Sequence, residues 1–145
     1  MRWRFLVAAF TFAIALLGGV VMADGRPLDS LRWQSRIVVV LAGAPDDAML
    51  DEQLRLLDEA SAGLRERDMV VVEEAGDGVS VNGIAQPEPA SLREAYDAPS
   101  SGFQVLLIGK DGGVKLRSAE PVGAGELFAL IDTMPMRRRE MQERD

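Results

Sequence analysis

Three short apolar runs constrain this chain more than any other feature: 36–42 (RIVVVLA), 68–74 (DMVVVEE) and 103–109 (FQVLLIG). Each is shorter than a typical helix, and the first two are rich in β-branched residues. Near-continuous runs of this kind suit strands buried on both faces, as in a parallel sheet. Between the first two lies a turn, 43–47 (GAPDD), in which Asp46 or Asp47 can cap a following helix. Leu50, Leu54, Leu57 and Leu64 then fall three, four or seven residues apart, which is one face of a helix ending near Arg67. Strand, helix, strand at this spacing predicts a right-handed parallel crossover.

The stretch 75–89 is the loosest. Asp77-Gly78 and Asn82-Gly83 are strong turn dipeptides, so Val79, Val81 and Ile84 are placed for a small hairpin. Ser91 and Glu94 have capping-box spacing, which predicts a short helix running to Tyr96 before 98–102 (APSSG) breaks it. After the third run, Lys110-Asp111-Gly112-Gly113 has turn chemistry, and Val114 and Leu116 alternate with Lys115 and Arg117. An antiparallel hairpin with one half-solvated side is expected there. Leu127, Phe128, Leu130, Ile131 and Met134 predict a final amphipathic helix, with Pro135 marking its end. The expected organisation is a leader over 1–23, a polar lead-in over 24–35, one domain over 36–134 and a charged tail over 135–145. Leu28, Leu31 and Trp33 are the side chains of the lead-in that can dock. No internal repeat is visible.

Met1-Arg2-Trp3-Arg4 precedes an uncharged apolar run, 5–22, and Ala23 sits where a signal peptidase accepts a small residue. This predicts a secretory signal peptide removed after residue 23, and a periplasmic or secreted location. Kept as an anchor, the run approaches the roughly 20 residues that span a bilayer, so membrane association is expected only through that segment uncleaved. No cysteine follows it, which excludes lipoprotein anchoring. Removing 23 of the 145 residues leaves 122, enough for one domain with a real core, and takes the net charge from −7 to −9. An acidic balance argues against nucleic acid, whose phosphates need clustered Lys and Arg. It argues equally against general adhesion to anionic lipid. Exported proteins can hold disulfides, but this chain has to be stabilised by packing and hydrogen bonding alone.

The chain contains neither cysteine nor histidine. Thiol–disulfide exchange needs a thiolate. Nucleophilic triads usually need an imidazole or a comparable base, and zinc and most transition-metal sites draw on Cys and His. The element order (β-α-β, short helix, β-β hairpin, helix) resembles the thioredoxin core, an α/β three-layer fold with a mixed sheet. Two stretches go further. FQVLLIGKDGGVKLRS (103–118) and LIDTMPMRRREM (130–141) resemble the signature of a thioredoxin-like family, domain-of-unknown-function family 4174. The resemblance covers roughly residues 31–141. It implies kinship with bacterial exported proteins and with animal extracellular proteins that carry sushi repeats or belong to the coiled-coil-domain matrix proteins. It implies no known chemistry. Thioredoxins place their CxxC after the first central strand, at a helix N-terminus that stabilises the thiolate. The matching place here is Ala44-Pro45-Asp46-Asp47. Their cis-proline precedes the third core strand, where this chain has Phe103-Gln104. Both redox landmarks are missing, and peroxiredoxin-like chemistry also lacks its cysteine.

Asp46, Asp47, Asp51 and Glu52 cluster at one helix start. They suit Ca²⁺ binding or paired acid–base work, and equally capping with favourable dipole placement. The calcium-loop pattern is not present, which favours capping. Lys110 to Gly113 lack the phosphate-loop spacing and a following helix, so they read as a β-turn. Met134, Met136 and Met141 can hold Cu(I) or simply pack. Arg137, Arg138 and Arg139 form a local basic patch, suited to an acidic partner or to the C-terminal dipole of a helix. The sequence-based reading is an exported, non-catalytic thioredoxin-like module that binds a protein or envelope component. Lys110, Lys115, Arg117, Arg137, Arg138 and Arg139 are its candidate partner-binding residues, and no catalytic, cofactor-binding or metal residue is assigned. The alternatives are an enzyme of unfamiliar type pairing Asp46 or Asp47 with Lys110, and a methionine-based copper binder.

Overall fold

In a computed structural model describing residues 26–86 and 91–145, the valine-rich run forms β1 (Arg36–Ala42), which is buried at every position. The expected leader over 1–23 lies outside the described residues. β1 pairs in parallel with β2 (Met69–Ala75), with Val38 opposite Val71. On its other side it pairs antiparallel with β5 (Gln104–Ile108), with Val38 opposite Leu107. The three apolar runs are therefore the three central neighbours, as their composition predicts. A hairpin of β3 (Gly78–Val81) and β4 (Ile84–Ala85) extends the sheet beyond β2, and β6 (Val114–Ser118) extends it beyond β5. The strand order is β4-β3-β2-β1-β5-β6.

Side-chain alternation along β1 supplies two cores. Val38, Val40, Val105 and Leu107 pack against Leu50 and Leu57 of α1 (Ala48–Glu59), Leu64 of α2 (Ser61–Glu66), and Leu127 and Ile131 of α4 (Ala124–Asp132). Ile37, Val39, Leu41 and Ile108 face the opposite way, toward Leu28 of the lead-in and toward Leu92 and Tyr96 around α3 (Leu92–Ala95). The result is a mixed sheet between two layers of helices, the α/β thioredoxin-like architecture. The lead-in is part of it: Leu28 is buried, and the Tyr96 hydroxyl donates to the Pro27 carbonyl. Burial, with the nearby Asp29 charge adding to it, pushes the Tyr96 hydroxyl's pKa up to about 12. Trp33, the third candidate docking residue, stays exposed.

Two expectations need correction. The helix over 47–67 is two helices, because the chain leaves helical geometry at Ala60. Past that break, Gly63 faces the Phe128 ring so closely that a Cβ there would overlap it. Nor is the stretch from 135 onward a tail. Pro135 does follow the end of α4, but it opens a further helix, α5 (Pro135–Arg144), at whose first position its missing N–H costs nothing.

Candidate functional site

The two ends of β1 define two poles. At its C-terminal end, where thioredoxins carry their thiols, Asp47 caps α1. Its Oδ1 accepts the backbone N–H of Met49 at 2.8 Å and of Leu50 at 3.3 Å. Gly43, Ala44, Pro45 and Asp46 are exposed and carry no thiol. Glu52 is engaged with Arg55 at 2.8 Å on the exposed face of α1. Among the described residues there is no group of three or more carboxylates placed to hold a metal ion.

The opposite pole is dense with charge. Ile108 at the end of β5 stands opposite Ile37, so Lys110 emerges beside the start of β1. The seven residues of β1 hold Lys110 about 20 Å from Asp46 and Asp47, at about 3.3 Å per residue. The acid–lysine pair entertained from sequence does not form. Instead the Lys110 ammonium bonds Asp68 at 2.9 Å and Glu140 at 2.8 Å. Arg36 is only 1 % exposed; its guanidinium donates to both Glu140 oxygens, at 3.1 and 3.2 Å, and to the Arg67 carbonyl at 3.0 Å. Arg137, equally buried, donates to Asp132 at 3.0 Å and to the Glu66 carboxylate at 2.8 Å. Arg67 grips Asp132 with two bonds and lies over the Phe128 ring, 4.2 Å from its centre.

These contacts perturb the acids. Burial would raise the Glu140 pKa, but the hydrogen bonds from Arg36 and Lys110 outweigh it and hold the carboxyl below its ordinary range. Asp132 is lowered chiefly by its hydrogen bond from Arg67, which together with Arg137 overcomes burial. The network explains why α5 folds back. Arg137 and Arg138 sit in its first turns, near the positive end of the helix dipole, where cations are unfavourable. Ion pairs to Asp132 and Glu66 offset that cost for Arg137. The sequence-based placement of this run at a helix C-terminus is thus reversed.

The six candidate basic residues divide accordingly. Lys110 and Arg137 are committed to internal ion pairs and do not form an exposed patch. Lys115 pairs with Asp111 at 2.8 Å, and Arg117 donates to the Tyr96 carbonyl at 2.7 Å. Arg138 and Arg139 are exposed, with no side-chain partner among the described residues. Of the methionines, Met134 packs against the core, and Met136 and Met141 are half-buried. The residues missed from sequence are the acceptors, Glu66, Asp132 and Glu140, together with Arg36. The available signal was a charge at the first position of an otherwise apolar strand.

A family described as a domain of unknown function (DUF4174) matches residues 27–140. The chain belongs to that family. The Sushi repeat-containing protein SRPX of Rattus norvegicus is 32 % identical over 120 residues, which span 79 % of this chain and 26 % of that protein. The human SRPX2 protein is 26 % identical over 123 residues, 81 % of this chain and 26 % of that one. Coiled-coil domain-containing protein 80 of Danio rerio is 26 % identical over 133 residues, 79 % of this chain and 15 % of that protein. The chain thus matches about a quarter or less of the length of these curated relatives. Among solved structures, reduced 2-Cys peroxiredoxin of Plasmodium vivax superposes with a TM-score of 0.57 at 13 % identity, covering 77 % of this chain and 84 % of that one. Thioredoxin peroxidase I of Plasmodium yoelii gives 0.56 at 15 % identity, covering 77 % and 79 %. These two establish the thioredoxin-like fold and nothing of activity. In this DUF4174 chain the stretches 103–118 and 130–141 contain Lys110, Asp132, Arg137 and Glu140. Those residues belong to the ion-pair pole, and in this chain they clamp α5 to β1 and β5.

Proposed function

We propose that this DUF4174 chain is an exported, non-catalytic thioredoxin-like module that binds a protein or envelope component. The observation that carries the reading is the pole where thioredoxins react. A saturated helix cap, Asp47 bonded to Met49 and Leu50, stands where the thiols would be. Without a thiolate, disulfide exchange and peroxide reduction have no nucleophile. The curated relatives are named for sushi repeats and coiled coils rather than for a reaction, which supports a binding role. Arg138 and Arg139 remain available to an acidic partner.

The purified protein should show no insulin reduction and no peroxide turnover above a no-protein control. It should recover a partner from envelope extract that rebinds when purified. Export predicts a mature product beginning at Asp24. R138E/R139E should weaken recovery more at low salt than at high salt, because exposed charges are screened over about 8 Å at physiological ionic strength. Reproducible turnover, or a purified partner that fails to rebind, would overturn the reading.

A further inference from the structure

The sheet is wider than the helices that cover it. α1 packs over β1 and α2 over β2, while the β3–β4 hairpin carries the sheet past them. Between α1, α2 and the β2–β3 surface a groove of about 600 Å³ opens. Half-exposed Leu54 and Val71 form its apolar wall, above the buried core residues Leu57 and Leu64. Glu73, two residues beyond Val71 on β2, projects from the same face of the sheet, and Asp58 lines the groove from the helical side.

The charges around this groove do not balance. Glu73 is half-buried and stands opposite Ser80 in the neighbouring strand. Neither its carboxylate nor that of Asp58 takes a hydrogen bond or ion pair among the described residues. Its neighbour Glu74, on the other face, differs: it accepts the Leu92 N–H at 2.7 Å and lies 3.8 Å from the Arg93 guanidinium. The one cation that lines the groove among the described residues, Arg55, is shared between Glu52 at 2.8 Å and Glu59 at 2.7 Å. An apolar trough edged by uncompensated carboxylates repels an acidic segment. A neutral apolar ligand would bury Glu73 with no counter-charge, at a desolvation cost.

We infer that this groove docks a cationic amphipathic segment of a partner protein. Its apolar side chains cover the half-exposed Leu54 and Val71, and its Lys or Arg side chains meet Glu73 and Asp58. This rests on the binding-module reading and gives that reading a second surface, of opposite charge to Arg138 and Arg139. Complementary charge sets encounter and register, while the apolar floor supplies burial.

The test uses the whole purified protein and three labelled synthetic peptides of equal length: alternating lysine and leucine, lysine and serine, and glutamate and leucine. Fluorescence anisotropy should show saturable binding of the lysine–leucine peptide alone. D58K/E73K should weaken it by about tenfold or more, whereas E143K, a reversal on α5, should change it by less than about twofold. Amide shift mapping of the unmutated protein should place the perturbation on α1, α2 and the β2–β3 surface, which keeps the test independent of how the variants fold. Equal binding of the lysine–serine peptide, equal weakening by E143K, shifts elsewhere, or no binding would each overturn the inference. Failure of the peptides while an envelope partner is still recovered removes the groove alone. Turnover in the reductase or peroxidase assay removes the module reading itself.

Discussion

Replacing Glu140 tests the ion-pair pole most directly. Its carboxylate faces two cations whose side chains are nearly out of water, Arg36 at 1 % and Lys110 at 10 % exposure. Stranding one member of a buried pair costs about 3–5 kcal/mol, because an uncompensated charge stays in a poorly solvating site. Here each cation keeps a second partner: Arg36 keeps the Arg67 carbonyl and Lys110 keeps Asp68. That places E140A near the lower end, about 3 kcal/mol. With an unfolding entropy of about 2.1 cal/mol/K per residue over roughly 120 residues, the melting temperature should fall by about 12 °C. Thermal and urea unfolding followed by circular dichroism would measure both. The sign of the pH effect follows from the lowered pKa. Folded Glu140 holds its proton less tightly than unfolded Glu140, whose ordinary value is 4.5. Its contribution is therefore complete above that value and lost as pH falls through the lower folded-state pKa. E140Q, which cannot titrate, should lose less stability than the wild type as pH falls below about 5. An E140A cost below about 1 kcal/mol, or identical acid profiles for E140Q and wild type, would refute the reasoning.

Val39→Ala and Leu107→Ala, each at a fully buried strand position, should cost about 1–4 kcal/mol in urea denaturation through the cavities they leave. Losses of only a few tenths at both sites would mean that these runs do not carry the core. Gly63→Ala should cost about 1–3 kcal/mol through overlap of its methyl with the Phe128 ring, less the roughly 1 kcal/mol that alanine gains over glycine inside a helix. Adding F128A should remove most of that increment, a coupling that a double-mutant cycle reads directly.

The sheet was legible because β-branched runs of strand length have few alternatives, and the hairpin and caps because their residue types answer local backbone needs. Asp47 and Ser91 cap helices where the spacing places them. The break at Ala60 was not legible. Leu57 and Leu64 keep the same spacing whether the helix is continuous or bent, and the close contact of Gly63 involves Phe128, far along the chain. α5 was hidden for a related reason. Its single fully buried side chain is an arginine, so no apolar stripe announces a packed face. Pro135 is ambiguous by nature, since the same ring that ends one helix suits the first position of the next. The basic patch misled because charge was counted without its partners, which lie on other elements. Of the six, only Arg138 and Arg139 have side chains left without a partner among the described residues.

The position of β1 has a consequence in time. This strand is made early, yet the partners on one side of it come late: Leu107 lies 69 residues beyond Val38, and Glu140 lies 104 beyond Arg36. At a synthesis rate of about 5–20 residues per second, Arg36 waits on the order of 5–20 s for its counter-ion. Throughout that interval the stickiest segment of the molecule, a valine-rich stretch suited to strand-to-strand association, is at most half covered. The closing contact of the fold is thus its last-made helix fastened to its first strand. Truncation before Glu140 would leave all six strands in place but strip Arg36 and Lys110 of their shared counter-ion, so such a chain is expected to be destabilised at this pole.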